Sequence, residues 1–356
     1  LMEAADLAAL LLTTEPEIRY FTGFLPRFWE SPTRPWFLIV PASGPPVAVI
    51  PSIGERLMGQ TWITDIRTWH SPDYQDDGIE LMASTLRELV APDGRIGVPS
   101  GPETHLRLPL ADWQLLKQQI APLQTHDDCG IMRDLRLVKS PREIAKTGQA
   151  CRIANQSFAR VPDLVRPGLP LADAFRLFQV ECLTQGADWV GYLAGGAGPG
   201  GYGDVISPAS DAPLQDGDVL MLDTGVVWDG YYCDFDRNWA IGSATDGVTD
   251  GYKRLIDAAD AAFEAGRPGK TAADLYQAMQ SVLRADCDGR LGHGLGTQLT
   301  EWPSLLPDNH TPLCEGMVLT IEPYVELRPG RNLVHEENIS IHSDGDVYQS
   351  HPAHAP

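Results

Sequence analysis

Val219-Leu220-Met221-Leu222-Asp223-Thr224-Gly225, then Asp229-Gly230, then Tyr231-Tyr232-Cys233-Asp234-Phe235-Asp236-Arg237-Asn238-Trp239-Ala240-Ile241: the reading of this stretch decides the fold. An apolar run that ends in a carboxylate reads as a buried strand delivering Asp223. Asp-Gly is a favoured hairpin dipeptide, so the second run reads as the returning strand. Asp223 and Asp234 are eleven residues apart, on facing arms of that hairpin. Side chains alternate along a strand, so Asp234 and Asp236 share a face.

Three further pieces follow in order. Gly292-His293-Gly294-Leu295-Gly296 frames a lone histidine with glycines, which let backbone approach closely. Val318-Leu319-Thr320-Ile321-Glu322-Pro323 reads as a third strand ending in a carboxylate, and Glu336-Glu337-Asn338-Ile339-Ser340-Ile341 as the opening of a fourth. Singly, these residues read as turn or cap aspartates, a satisfied histidine and strand-end charges. Together, Asp223, Asp234, His293, Glu322 and Glu336 form a ligand set for two divalent cations. Each carboxylate is costly to bury as an unpaired charge, and a shared pair of ions removes that cost. An oxygen-rich set with one imidazole suits Mn, Co, Fe or Zn better than a thiolate metal.

The order Asp, Asp, His, Glu, Glu, with the first pair eleven apart and Arg237 three residues after the second, resembles the pita-bread metallopeptidases. That family includes methionine aminopeptidases, Xaa-Pro aminopeptidases, prolidases and metal-free creatinase. The likeness is strong over residues 139–350 and weak before them, where Arg19-Tyr20-Phe21-Thr22-Gly23-Phe24 is similar to a strand end of the two-domain members. The resemblance implies an α+β chain with a small creatinase-like α/β domain over residues 1–133. A pita-bread catalytic domain over 134–356 follows. It implies that Asp234 and Glu336 bridge two ions, that Asp223 binds one, and that His293 and Glu322 bind the other. Glu322 would also take the proton of a bridging water. Glu336 is favoured over Glu337 because its register puts Ile339 and Ile341 at apolar positions. The implied assembly is a homodimer, and the implied substrate a small peptide or related amide.

Departures from the family pattern bear on the substrate. Asp236 stands where threonine is usual, and reads as an acceptor behind the ligands or a partner of Arg237, with direct ligation as the alternative. Thr300 and Ile206 stand where the Xaa-Pro-cleaving members carry histidines, and neither Val205 nor Ser207 could replace the second as a base. A metal-dependent hydrolase of Xaa-Pro-like dipeptides is therefore set against a small-molecule C–N hydrolase or lyase on the same scaffold. A silent binding protein is a third reading, disfavoured by the complete ligand set. Gly196, Gly198 and Gly201 make a literal GxGxxG, but Ser207-Pro208 follows where a nucleotide site needs a helix. The glycine stretch 195–203 instead reads as a flexible wall of the cleft.

The remaining composition is compatible. A chain of 356 residues suggests about two domains of roughly 100–200 residues each, and 43% apolar residues can fill two cores. A net charge of −21 argues against a nucleic-acid partner, because phosphate binding needs a basic surface. No apolar run reaches the roughly 18 residues of a membrane span. Six scattered cysteines without a CxxC pair suggest reduced thiols and a cytoplasmic setting. Leu1-Met2-Glu3 reads as the interior of a helix, so some native N-terminal residues are expected to be missing.

Strands are expected over 8–14, 35–40, 47–50 and 95–98, the middle two as a hairpin, and helices over 79–90 and 110–120. Phe28, Trp29 and Trp36 read as core or interface, with a lid as the alternative. Residues 134–143 read as a linker, with Ser140, Pro141 and Glu143 opening a helix that runs to 164. Further helices are expected over 170–185, over 249–265, and after Thr271 with Asp274 as its capping acid.

Overall fold

The computed structural model describes residues 1–29, 34–206, 208–284, 287, 289–345 and 347–350. The chain divides into two compact units, Leu1–Arg136 and Leu137–Pro356.

The first unit is a mixed six-stranded sheet. Its strands are β1 (Ala9–Leu12), β2 (Phe37–Pro41), β3 (Val47–Pro51), β4 (Asp65–Trp69), β5 (Arg95–Val98) and β6 (Gln124–Asp127), ordered β4-β3-β2-β1-β5-β6. Its helices are α1 (Glu15–Thr22), α2 (Glu55–Met58), α3 (Ile79–Leu89), α4 (Leu110–Gln119) and α5 (Ile131–Leu137), the last crossing the division. Alternation within β1 shows why its apolar run is unbroken. Ala9 and Leu11 enter a core with Met82 and Leu86, while Leu10 and Leu12 enter another with Ile18 and Trp36. Both faces are covered, so every position is apolar.

Two expectations differ here. Arg19-Tyr20-Phe21-Thr22-Gly23 closes α1 rather than a strand: Pro16 and Glu17 start the helix, and Gly23 ends it in the left-handed region at φ 70°. Residues 2–6 form turns, not a helix. The aromatic cluster is core of this unit. Trp36 is buried against Phe24 and Trp29 at centroid separations of 5.2 and 5.8 Å.

The second unit opens with α6 (Pro141–Phe158), α7 (Val161–Leu164) and α8 (Leu171–Thr184). The capping box at Ser140 forms as its sequence predicts: the Glu143 carboxylate accepts from the Ser140 N–H at 2.8 Å, and the Ser140 hydroxyl accepts from the Glu143 N–H. The helix stops at Phe158 rather than 164, because Pro162 cannot donate to the Phe158 carbonyl. Residues 134–143 contain the division between the units, but not as open chain. They begin inside α5 and end inside α6.

Next come β7 (Trp189–Pro199), β8 (Asp218–Trp228), β9 (Tyr231–Tyr232) and β10 (Phe235–Ala240), with β8 between β10 and β7. Then follow α9 (Asp246–Ala265), capped by Thr245, and α10 (Ala272–Leu283), capped by Thr271 with Asp274. A second sheet, β12-β11-β13-β16-β17, is made of β11 (His293–Gly294), β12 (Glu301–Ser304), β13 (Val318–Ile321), β16 (Glu337–Ser340) and β17 (Val347–Tyr348). The pair β14 (Tyr324–Arg328) and β15 (Arg331–Val334) stands beside it in the chain.

Strand β8 organises the unit. Leu220 and Leu222 pack with Phe158 and Phe178 of α6 and α8, whereas Val219 and Met221 pack with Tyr252 and Leu255 of α9. Asp223 continues the Val219–Met221 face, so a buried carboxylate caps an apolar row. The first part of the glycine stretch is strand rather than loop: residues 195–199 lie in β7, hydrogen-bonded to β8. A Cβ on Gly195 would meet the Met221 carbonyl oxygen at 2.1 Å, and its φ is +148°. Glycine is there because the backbones touch.

Candidate metal centre

The hairpin register sets the first two carboxylates. Asp223 pairs directly with Asp236 and Thr224 with Phe235, so the Asp223 and Asp236 side chains share one face. Asp234 lies between β9 and β10, two residues before Asp236 and on that same face. Its N–H donates to Asn338 Oδ1 at 2.9 Å, and the Asn338 amide donates back to its carbonyl. This fastens Asp234 to β16.

His293 comes from β11. A Cβ on Gly292, at φ +142°, would meet the Thr320 carbonyl oxygen at 2.3 Å, which explains the glycine before the histidine. Nδ1 faces the Gly294 carbonyl at 2.8 Å. That contact assigns the proton to Nδ1 and turns Nε2 toward the acids. Nε2 lies 2.9 Å from Glu322 Oε1 and 3.2 Å from Asp234 Oδ2. The Thr320 hydroxyl accepts from the His293 N–H at 2.9 Å and donates to Glu322.

Glu336 precedes β16. Its N–H donates to Asp236 Oδ1 at 2.7 Å, and its carbonyl accepts from Arg237 Nη1 at 3.0 Å. Glu337 turns the other way, 3.0 Å from Arg237 Nη2 and 3.3 Å from His335 Nε2. Asp236 is bound by the Glu336 N–H and by Asn238 Nδ2 at 2.8 Å; Arg237 pairs with Glu337 instead.

The ligand atoms form two triads, Asp234–His293–Glu322 and Asp223–Asp234–Glu336, each within 4.8 Å. Asp234 belongs to both. Glu336, expected to serve both ions, joins only the Asp223 triad at that distance. The electrostatics are those of a site lacking its counter-charge. Burial, then the charges of Asp234, Asp236 and Glu322, raises Asp223 well above the ordinary carboxylate range. Burial, then Asp223 and Glu322, does the same to Glu336. Burial draws the His293 imidazole down, but Glu322 and Asp234 outweigh it and lift the ring to about 10. Burial works to raise Glu322, and His293 overcomes it, holding the carboxyl down to about 2. A proton on His293 thus does part of the work of a cation. Asp223 Oδ1 is buried with no hydrogen-bond partner. An orphaned carboxylate oxygen, crowded acids and one imidazole together fit divalent ions.

The triads face a cavity of about 520 Å³. Tyr192, Ile206, Arg290, Thr300 and Asn332 are among its walls. Ile206 is 77% exposed and offers no base; Ser207 lies outside the described residues. The sequence reading missed Tyr192, Arg290, Thr320 and Asn338. Thr320 was open to detection, two residues before Glu322 on one strand. Arg290 stands three before His293. Tyr192 sits in β7, a strand hidden by its glycines.

Metallopeptidase family M24 matches residues 145–343, more than half of the chain, and the creatinase/prolidase N-terminal domain matches residues 1–138. The chain belongs to metallopeptidase family M24. It is a hydrolytic enzyme of a family that works with divalent metal ions. The probable dipeptidase PepE of Mycobacterium tuberculosis is 32% identical over 346 residues, covering 95% of this chain and 88% of its own. The Xaa-Pro dipeptidase of Pyrococcus furiosus is 27% identical over 240 residues, covering 64% of this chain and 67% of its own. Among solved structures, dipeptidase PepE from Mycobacterium ulcerans superposes with a TM-score of 0.83 at 28% identity, covering 99% of this chain and 93% of that one. The prolidase from Pyrococcus furiosus, at 19% identity and a TM-score of 0.84 over 99% of both chains, shares the fold. These relatives favour the peptidase reading over a small-molecule lyase or C–N hydrolase.

Proposed function

We propose that the chain is a dipeptidase of the Xaa-Pro type, with two divalent ions held by Asp223, Asp234, His293, Glu322 and Glu336. The carrying observation is the pair of triads sharing Asp234 at one wall of a dipeptide-sized cavity. When bound, such ions polarise a carbonyl and make water a nucleophile at neutral pH; Mn, Co, Fe and Zn all suit the donor set. The chain's own residues do the rest. Glu322, held by Thr320, takes the proton of the attacking water and passes it to the leaving nitrogen as the amide C–N bond breaks. Asp236 and Arg237 grip the Glu336 N–H and carbonyl, so its carboxylate keeps one direction. Replacing Glu322 by alanine should lower kcat by at least 1000-fold while the circular dichroism spectrum stays native. Retained turnover would overturn the assignment.

The family resemblance supports a homodimer, and six scattered cysteines without a CxxC pair support a reducing, cytoplasmic setting. Light scattering that reads a single chain's mass would refute the dimer.

A further inference from the structure

Residues 349 and 350, just beyond β17, close the back of the metal centre. The Gln349 and Ser350 N–H groups both donate to the Asn338 carbonyl, at 2.8 and 3.4 Å. Ser350 is 1% exposed. Its hydroxyl accepts from the Asn338 N–H at 2.9 Å and donates to Glu337 Oε2. From that hydroxyl two lines of hydrogen bonds run to the ligands. In the first, Asn338 Oδ1 accepts from the Asp234 N–H, and the Asn338 amide donates back to the Asp234 carbonyl. In the second, Glu337 Oε2, the same oxygen that Ser350 holds, accepts from Arg237 Nη2 at 3.0 Å, and Arg237 Nη1 donates to the Glu336 carbonyl at 3.0 Å. Both lines end in the triad Asp223–Asp234–Glu336.

Resting on the metal-ligand assignment above, we propose that Ser350 is a positioning residue for the metal centre. It fixes Glu336 through Glu337 and Arg237, and Asp234 through Asn338. A buried hydroxyl is costly unless it is paired, and this one is paired as donor and as acceptor. Asp234, Arg237, Glu337 and Asn338 are all buried, so water cannot replace a bond lost along either line. With one oxygen of Glu337 held by Ser350 and the other 3.3 Å from His335 Nε2, the carboxylate cannot turn. Arg237 therefore keeps one nitrogen on Glu337 and the other on the Glu336 carbonyl, as its rigid fork allows. The end of the described chain thus belongs to the working part of the molecule.

The test uses the full chain, stripped with chelator and titrated with Mn in a calorimeter. Ser350→Ala should weaken Mn binding by about 10-fold or more, the cost of losing a group behind a ligand. Ser350→Thr keeps the hydroxyl and should stay within about 3-fold of wild type, because the same bonds remain. Ser350→Cys fills the space with a weak donor and should fall between them; it carries the test if the alanine variant does not fold. Tyr348→Phe is the control for mere attachment of the segment. It removes the hydroxyl that donates to Asp260 at 3.0 Å and touches neither line, so Mn affinity should not change. Wild-type affinity in Ser350→Ala, or in Ser350→Cys where alanine does not fold, overturns the proposal and leaves the metal centre standing. An equal loss in Tyr348→Phe also overturns it. A wild type that binds no Mn sinks the ligand assignment and this proposal together.

Discussion

Asp236 stands directly across from Asp223 in the β8–β10 pair, yet both its oxygens are taken, one by the Glu336 N–H and one by the Asn238 amide. Its carboxyl is pushed up to about 7, chiefly by burial, with His335 and Arg237 pulling against that. It is an anchor for Glu336. Asp236→Asn should therefore weaken Mn affinity by roughly 10- to 100-fold, the usual cost of losing a group behind a ligand. The unfolding free energy in chelator should stay within about 1 kcal/mol of wild type, because a charge leaves a crowded site as a hydrogen bond weakens. Calorimetric titration with Mn checks this, and unchanged affinity would mean that Glu336 needs no anchor. The carboxylates of the triads were legible in the sequence because each lies at the end or the opening of a strand-like run, His293 because glycines frame it, and the hairpin spacing ties the first two. The hydrogen bonds behind them were not. Asn338 reaches Asp234 across more than a hundred residues, and no local pattern announces such a contact.

Strand β7 was one element that local pattern concealed. Its Leu-Ala-Gly-Gly-Ala-Gly-Pro end has almost no side chains to alternate, so it reads as a loop. Tertiary contact overrides that reading: β8 lies against it at backbone distance, and larger residues would not fit. Gly195→Ala should cost about 1–3 kcal/mol and shift the denaturant midpoint down. Gly247→Ala, where nothing lies within 4 Å, should leave the midpoint in place. An unshifted midpoint in Gly195→Ala would argue that β7 does not hold β8 so closely. Helix starts were legible where a cap speaks through its neighbours, as at Ser140 and Thr271. The start of α9 was missed by a few residues because Thr245, rather than Thr249, accepts the capping N–H. Strands β14 and β15 went unread, although their hairpin carries Asn332 and Val334 into the cavity wall.

At the scale of the whole molecule, two units, an acidic composition and one cavity beside two metal-ligand triads converge on peptide chemistry. Within the triads only the His293 imidazole offsets the four acids, so a cationic centre is still needed. Among the described residues no helix is long and apolar enough to cross a membrane. Composition and motif order made the two-unit α+β plan legible. The side-chain lining of the cavity needed the fold, because its members come from β7, β8, the segment around His293 and the β14–β15 hairpin. The central claim is that the two triads hold two ions and that these make the chain a dipeptidase. It is tested most directly by stripping the protein with chelator, reloading it with Mn, and following Ala-Pro cleavage while bound metal is counted in the same sample. The account predicts no cleavage after stripping and full cleavage as occupancy reaches about two ions per chain. Two bound ions with no cleavage of any dipeptide, or cleavage that survives chelation, would contradict it.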